Sequence, residues 1–196
     1  MTGETRGLTA LDLSGSQYTV EQTGRDENFR PEYEARDATG DTVLSGTYQM
    51  YEERGRFPLV DADGTEVLIV TASSGWDIAG DYVLTDGHTG EDVFVLDNDF
   101  SLLQDTWRVR HADDGSLLAE INSRGVLVTL GRKVLPLGQW IAHEYEITDT
   151  EGDSIGSIEG EFAMFDQYEI TVADTSSVPV GPLVAGTMVI DAVQGN

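Results

Sequence analysis

The sequence predicts an all-β domain of about twelve antiparallel strands, a sheet so large that it must curl, split in two or close into a barrel, and closure also removes exposed edges. Two observations carry that reading. One unit recurs along the chain: an aromatic residue, about four alternating positions, Asp or His, a short polar link, a Gly and a second β-rich run. The links themselves have hairpin-turn chemistry. A third feature, VPVGPLVAGTMVIDAV near the end, is apolar enough that the fold must hide it.

The units are YEARDATGDTVLSG from Tyr33, FPLVDADGTEVLIV from Phe57, YVLTDGHTGEDVFVL from Tyr82, WRVRHADDGSLLAEI from Trp107 and YEITDTEGDSIGSI from Tyr145. A further aromatic run, YEITV, starts at Tyr168, and QYTVEQ supplies a strand ahead of the first unit. Side chains alternate across a strand. Tyr145 and Ile147 therefore face the core, as do Trp107 and Val109, while Arg108 and Arg110 face out. Asp37, Asp61 and Asp149 each stand three residues before Gly40, Gly64 and Gly152, so the carboxylate can accept backbone N–H groups and the Gly can take positive φ. The links Asp86 to Gly90 and His111 to Gly115 are one residue longer. Between Ile121 and Tyr145 the chain is long enough for an extra strand at Val126–Leu130 and a loop. Residues 1–9 are expected to be flexible and residues 10–193 to form one domain. A propeller fits less well, because its blades need about forty residues each.

The formal net charge is -25, from 36 acidic against 11 basic residues. Such a surface repels nucleic acid and anionic lipid over most of its area. The acidity runs from Glu4 to Asp191, which fits adaptation to concentrated salt, as in a haloarchaeal protein, better than a local face for a basic partner. There is no Cys, so no disulfide, thiol nucleophile or Cys-ligated metal is available. The first residues lack the basic-then-apolar pattern of a secretory signal, and the expected location is cytoplasmic.

The terminal stretch is broken by Pro179, Pro182, Thr187 and Asp191 and is too short for a bilayer span of about 20 residues, so stable membrane insertion is not expected. GTMVIDAV favours a strand by its β-branched content. Pro182 in a first turn and apolar groups all round the wheel favour an enclosed helix instead. The residues alone leave both readings open. The repeated hairpins, YVLTDGHTGEDVFVLDNDFSLLQDTWRV and the closing LVAGTMVIDAV resemble the LURP-one-related family of the Tubby C-terminal-like superfamily, over roughly residues 10–193. That resemblance implies a twelve-stranded closed barrel around a central hydrophobic helix, whose core would hold Leu183, Val184, Met188, Val189 and Ile190. Asp191 would then sit near the exit, reaching water or a backbone donor.

The Tubby branch binds phosphoinositide headgroups through converging basic side chains, which implies an anion or lipid site among Arg108, Arg110, Arg132 and Lys133. The alternative for these groups is pairing with surrounding carboxylates. The scramblase relatives carry Cys-rich segments, calcium-binding features and a membrane-associated C-terminal helix; this chain has no Cys, and that likeness stops at the barrel. DADGTE at Asp61–Glu66 lacks the twelve-position calcium loop and reads as a hairpin turn. No HExxH, GxSxG or phosphate loop occurs. His88, His111 and His143 are scattered, and no catalytic residue, metal site or cofactor is expected. The leading expectation is a non-enzymatic module for a protein partner or small ligand. Phospholipid recognition and a side-pocket hydrolase are the alternatives.

Overall fold

The computed structural model describes residues 9–11, 13–49, 55–73, 81–100, 105–124, 144–161, 167–176 and 178–194. Twelve strands follow in order: β1 (Gln17–Arg25), β2 (Pro31–Asp37), β3 (Thr42–Thr47), β4 (Arg56–Val60), β5 (Glu66–Ala72), β6 (Tyr82–Asp86), β7 (Asp92–Phe100), β8 (Asp105–His111), β9 (Leu117–Ser123), β10 (Glu144–Thr148), β11 (Ser154–Glu161) and β12 (Gln167–Val172). One helix, α1 (Val180–Gln194), follows them. Each strand pairs antiparallel with the next, and β12 returns to β1 with Tyr18 opposite Ile170, which closes the barrel. β9 pairs directly with β10, so the wall closes without an inserted strand. Val126–Leu130, where the extra strand was expected, lies outside the described residues.

The five hairpin turns gather at one end of the barrel. Gly40, Gly64 and Gly152 donate N–H to the carbonyls of Asp37, Asp61 and Asp149, and the same Asp side chains accept the N–H groups two and four residues on. The two longer turns close one residue later, with Gly90 bonded to Asp86 and Gly115 to His111. All five glycines have positive φ, between 70° and 88°, a region that Cβ disfavours. Asp61 is therefore a turn cap, and Glu66 is held by Arg56 at 2.8 Å.

Even-numbered strands start at the opposite end, and their leading aromatic residues all turn inward. Tyr33, Phe57, Tyr82, Trp107, Tyr145 and Tyr168 are buried, on β2, β4, β6, β8, β10 and β12. They form a collar of rings at one level, with Tyr33 edge-on to Phe57 at 5.9 Å and Tyr82 tilted against Trp107 at 6.0 Å. The repeat in the sequence is thus a repeat of position around the bore.

The terminal stretch is a helix. β12 ends at the turn end, so α1 enters there and runs toward the collar. It packs against β1, β2 and β12. On its other side a Cβ on Gly186 would meet Leu96 Cδ1 at 3.2 Å, and Leu96 belongs to β7, across the barrel from β1. The helix therefore fills the bore. Leu183, Val184, Ala185, Met188, Val189, Ile190 and Ala192 are all buried. Thr187 is buried too, and its hydroxyl donates to the Leu183 carbonyl at 2.9 Å, which satisfies it within the helix. Enclosure on every side overrides the β-propensity of TMVI, because each buried aliphatic chain contributes about 1.5–3 kcal/mol while the propensity scale spans only about 1 kcal/mol. Fifteen residues make about 22 Å of helix.

Asp191 was expected near the exit, reaching water or a backbone donor, and it is instead enclosed. It is 2% exposed, and its two oxygens accept hydrogen bonds from Tyr33 and Tyr168, each at 2.8 Å. The collar thus supplies phenol donors where the helix carries its one carboxylate.

Candidate functional site on the outer wall

Arg108 and Arg110 lie two apart on β8 and share the outer face. Strand register sets their surroundings. Asp97 on β7 and Glu120 on β9 stand directly opposite Arg108 on its two sides, an arrangement in which opposite charges attract. Arg108 Nε donates to Glu120 Oε1 at 2.9 Å, and its Nη1 is 4.0 Å from Asp97 Oδ2. Arg110 Nε donates to Asp97 Oδ2 at 3.3 Å, and its Nη1 donates to the Gly115 carbonyl at 3.1 Å. Asp81, just before β6, joins the same group. It is exposed as a residue, yet partial desolvation of its carboxyl, the charge of Asp97 and a hydrogen bond to Asp97 push its pKa up, against the pull of Arg110. Two guanidiniums thus stand among three carboxylates, and an incoming anion would have to displace Asp97 and Glu120. Arg132 and Lys133 lie outside the described residues. The cross-strand pairing was legible as a general alternative in the sequence. Its partners were not, because strand register places Asp97 and Glu120 opposite Arg108.

His88 sits in the β6–β7 turn, His111 ends β8 with its ring 5.8 Å from Phe94, and His143 lies outside the described residues. Among the described residues, no group of three or more His, Asp or Glu side chains is placed to hold a metal ion. No described helix is long and apolar enough to cross a membrane.

Two features escaped the sequence reading. The first is Asp86, which ends β6 facing inward and is 1% exposed. Its Oδ1 caps its own turn by accepting from His88 N, Thr89 N and Thr89 Oγ1, as the Asp-to-Gly spacing suggested. Its Oδ2 accepts from Thr9 N at 2.7 Å, Thr9 Oγ1 at 3.1 Å and Ala10 N at 3.1 Å, a contact made across 76 and 77 residues. The segment from Thr9 is strapped over the turn end, with Leu11 buried in the core behind it. Burial alone would raise the Asp86 pKa. The N–H groups of Thr89, Thr9 and Ala10 and the Thr9 hydroxyl outweigh it and hold the carboxyl well below the ordinary range. The second feature is Phe29, at the tip of the β1–β2 connection, which is 80% exposed. Its signal was present in the sequence: Asp26 precedes it by three residues, the same spacing as Asp37 to Gly40.

A model of the LURP-one-related family matches residues 49–191, which include strands β4 to β12 and most of α1. No curated protein sequence matches the chain. The family match covers well over half of the residues, so the chain belongs to the LURP-one-related family.

Proposed function

We propose that this chain is a non-enzymatic, salt-adapted binding module of the cytoplasm that recognises a protein or small ligand with the outside of its barrel. The observation that supports this is the filled bore. Barrels that hold small molecules take them inside, and here the inside is occupied by α1 from Leu183 to Ala192. What is left for recognition is the outer wall and the connections between strands, the usual place for binding residues on a rigid scaffold.

A phosphoinositide-headgroup site is the second reading, supported by two guanidiniums on one face of β8. Co-sedimentation in concentrated KCl separates the two. Phosphatidylcholine vesicles, with and without phosphoinositide, are expected to leave both the wild type and the Arg108→Ala, Arg110→Ala double variant in the supernatant. Phosphoinositide-dependent retention that the double variant loses would establish the second reading instead. In parallel, hydrolysis of a panel of carboxylic and phosphoric esters is expected to stay at the buffer rate. Turnover by the purified chain would count against a non-enzymatic module.

A further inference from the structure

The β1–β2 connection repeats the turn found at the other end of the barrel, with one change. Asp26 N donates to the Arg30 carbonyl and Phe29 N to the Asp26 carbonyl, while Asp26 Oδ1 accepts from Asn28 N at 2.8 Å and Arg30 N at 2.9 Å. The Asp37 turn has the same four bonds among Asp37, Thr39, Gly40 and Asp41. In that turn, and in those at Asp61 and Asp149, the fourth residue is Gly at positive φ. Here it is Phe29, at φ 64°. A bulky residue in that region is strained, and glycine would relieve it. Among the described residues no packing repays that strain: the ring is exposed, and it is the only large hydrophobic side chain among them that is. The turn is also fixed: Arg25 Nη1 donates to the Phe29 carbonyl and Arg30 stands 3.9 Å from Asp26.

We infer that Phe29 is a docking anchor, held out on a rigid strained turn to enter an apolar pocket on a partner protein. The inference rests on the binding-module reading and places its contact. Three occupants compete, and magnitudes choose between them. One phenyl ring is a weaker lipid anchor than a single myristoyl chain, which itself binds only marginally, and the chain around it carries -25. A second copy meeting tip to tip would bury far less than the roughly 800 Å² per partner of a stable interface. A concave pocket can enclose the ring fully, and one desolvated aromatic is a common centre of binding energy. Local charge permits the approach. Arg25 and Arg30 balance Asp26 and Glu27, so the tip is neutral on an acidic protein.

The test uses the full chain. p-Benzoylphenylalanine is placed at position 29, or at position 39 in the opposite turn, and irradiated in cells. One protein is expected to crosslink from position 29 and not from 39. Purified, it should bind wild type and lose about thirtyfold affinity or more with Phe29→Ala. Phe29→Gly should bind as poorly as Phe29→Ala yet melt about 2–4 °C above wild type, because the backbone strain is gone. Four results would overturn the inference. These are no adduct specific to position 29, equal affinity for wild type and Phe29→Ala, a Phe29→Gly variant no more stable than wild type, or Phe29-dependent binding to vesicles or to a second copy. Equal affinity for the two proteins would leave the binding module standing with its contact elsewhere.

Discussion

Asp191→Ala is expected to lower the unfolding free energy by about 2–5 kcal/mol, because two buried hydroxyls lose this acceptor at about 1–3 kcal/mol each. The variant takes this acceptor from two phenol hydroxyls, Tyr33 and Tyr168, in the closed interior of the barrel. It also removes the polar link between α1 and two wall strands that lie on either side of β1. Asp191→Asn keeps a carbonyl oxygen for one hydroxyl and should lose less. The cause is separable from general damage by a double-mutant cycle. Tyr33→Phe should be destabilising in the wild type and nearly neutral in Asp191→Ala, where the hydroxyl has already lost this acceptor. Denaturant unfolding of the four proteins checks it. Additive losses would show that the hydrogen bond is not what holds Asp191.

Asp86→Ala is expected to be the second most damaging change, at about 2–4 kcal/mol. Six hydrogen bonds converge on that carboxylate, three from the turn and three from the strap. The folded protein depresses the Asp86 pKa, so its contribution has a definite pH window. It is fully present above the unfolded-state value, roughly 4, and drains away as the pH falls through the lower folded-state value. The stability gap between wild type and Asp86→Asn should therefore be flat from neutral pH down to about pH 5 and shrink below about pH 4. Hydrogen exchange gives a local check: the amides of Thr9 and Ala10 should lose protection in the variant. A gap that widens on acidification would contradict the assignment of Asp86 as an ionised latch.

Much of the wall was legible in the residues themselves. The aromatic residue that opens each unit marks the collar, because strand alternation and hairpin connection place equivalent residues at equivalent heights. Asp-to-Gly spacing located the turns for a similarly local reason. What stayed hidden was set by contacts distant in sequence. Whether TMVI was strand or helix depended on whether a closed wall would surround it, and local propensity pointed the wrong way. Asp191 was expected to find water or a backbone donor, because nothing local shows that Tyr33, 158 residues away, delivers a donor to it. Asp86 was read as a turn residue, which is half of its role. Phe29 escaped because an Asp–Phe pair does not announce a turn in which Gly is the norm. Among the basic residues, strand alternation put Arg108 and Arg110 on one outer face, and register then surrounded them with Asp97 and Glu120.

The absence of Cys allows a direct test of the central claim, that α1 lies enclosed in the bore. Val189→Cys introduces a single thiol in the middle of the buried helix, and Thr39→Cys introduces one in an exposed turn. Under native conditions a water-soluble thiol reagent should label Thr39→Cys at the rate of a free thiol and Val189→Cys only at the rate of global unfolding measured on the same variant. Labelling of Val189→Cys as fast as Thr39→Cys, with the protein still folded, would place the helix outside the barrel and contradict this account.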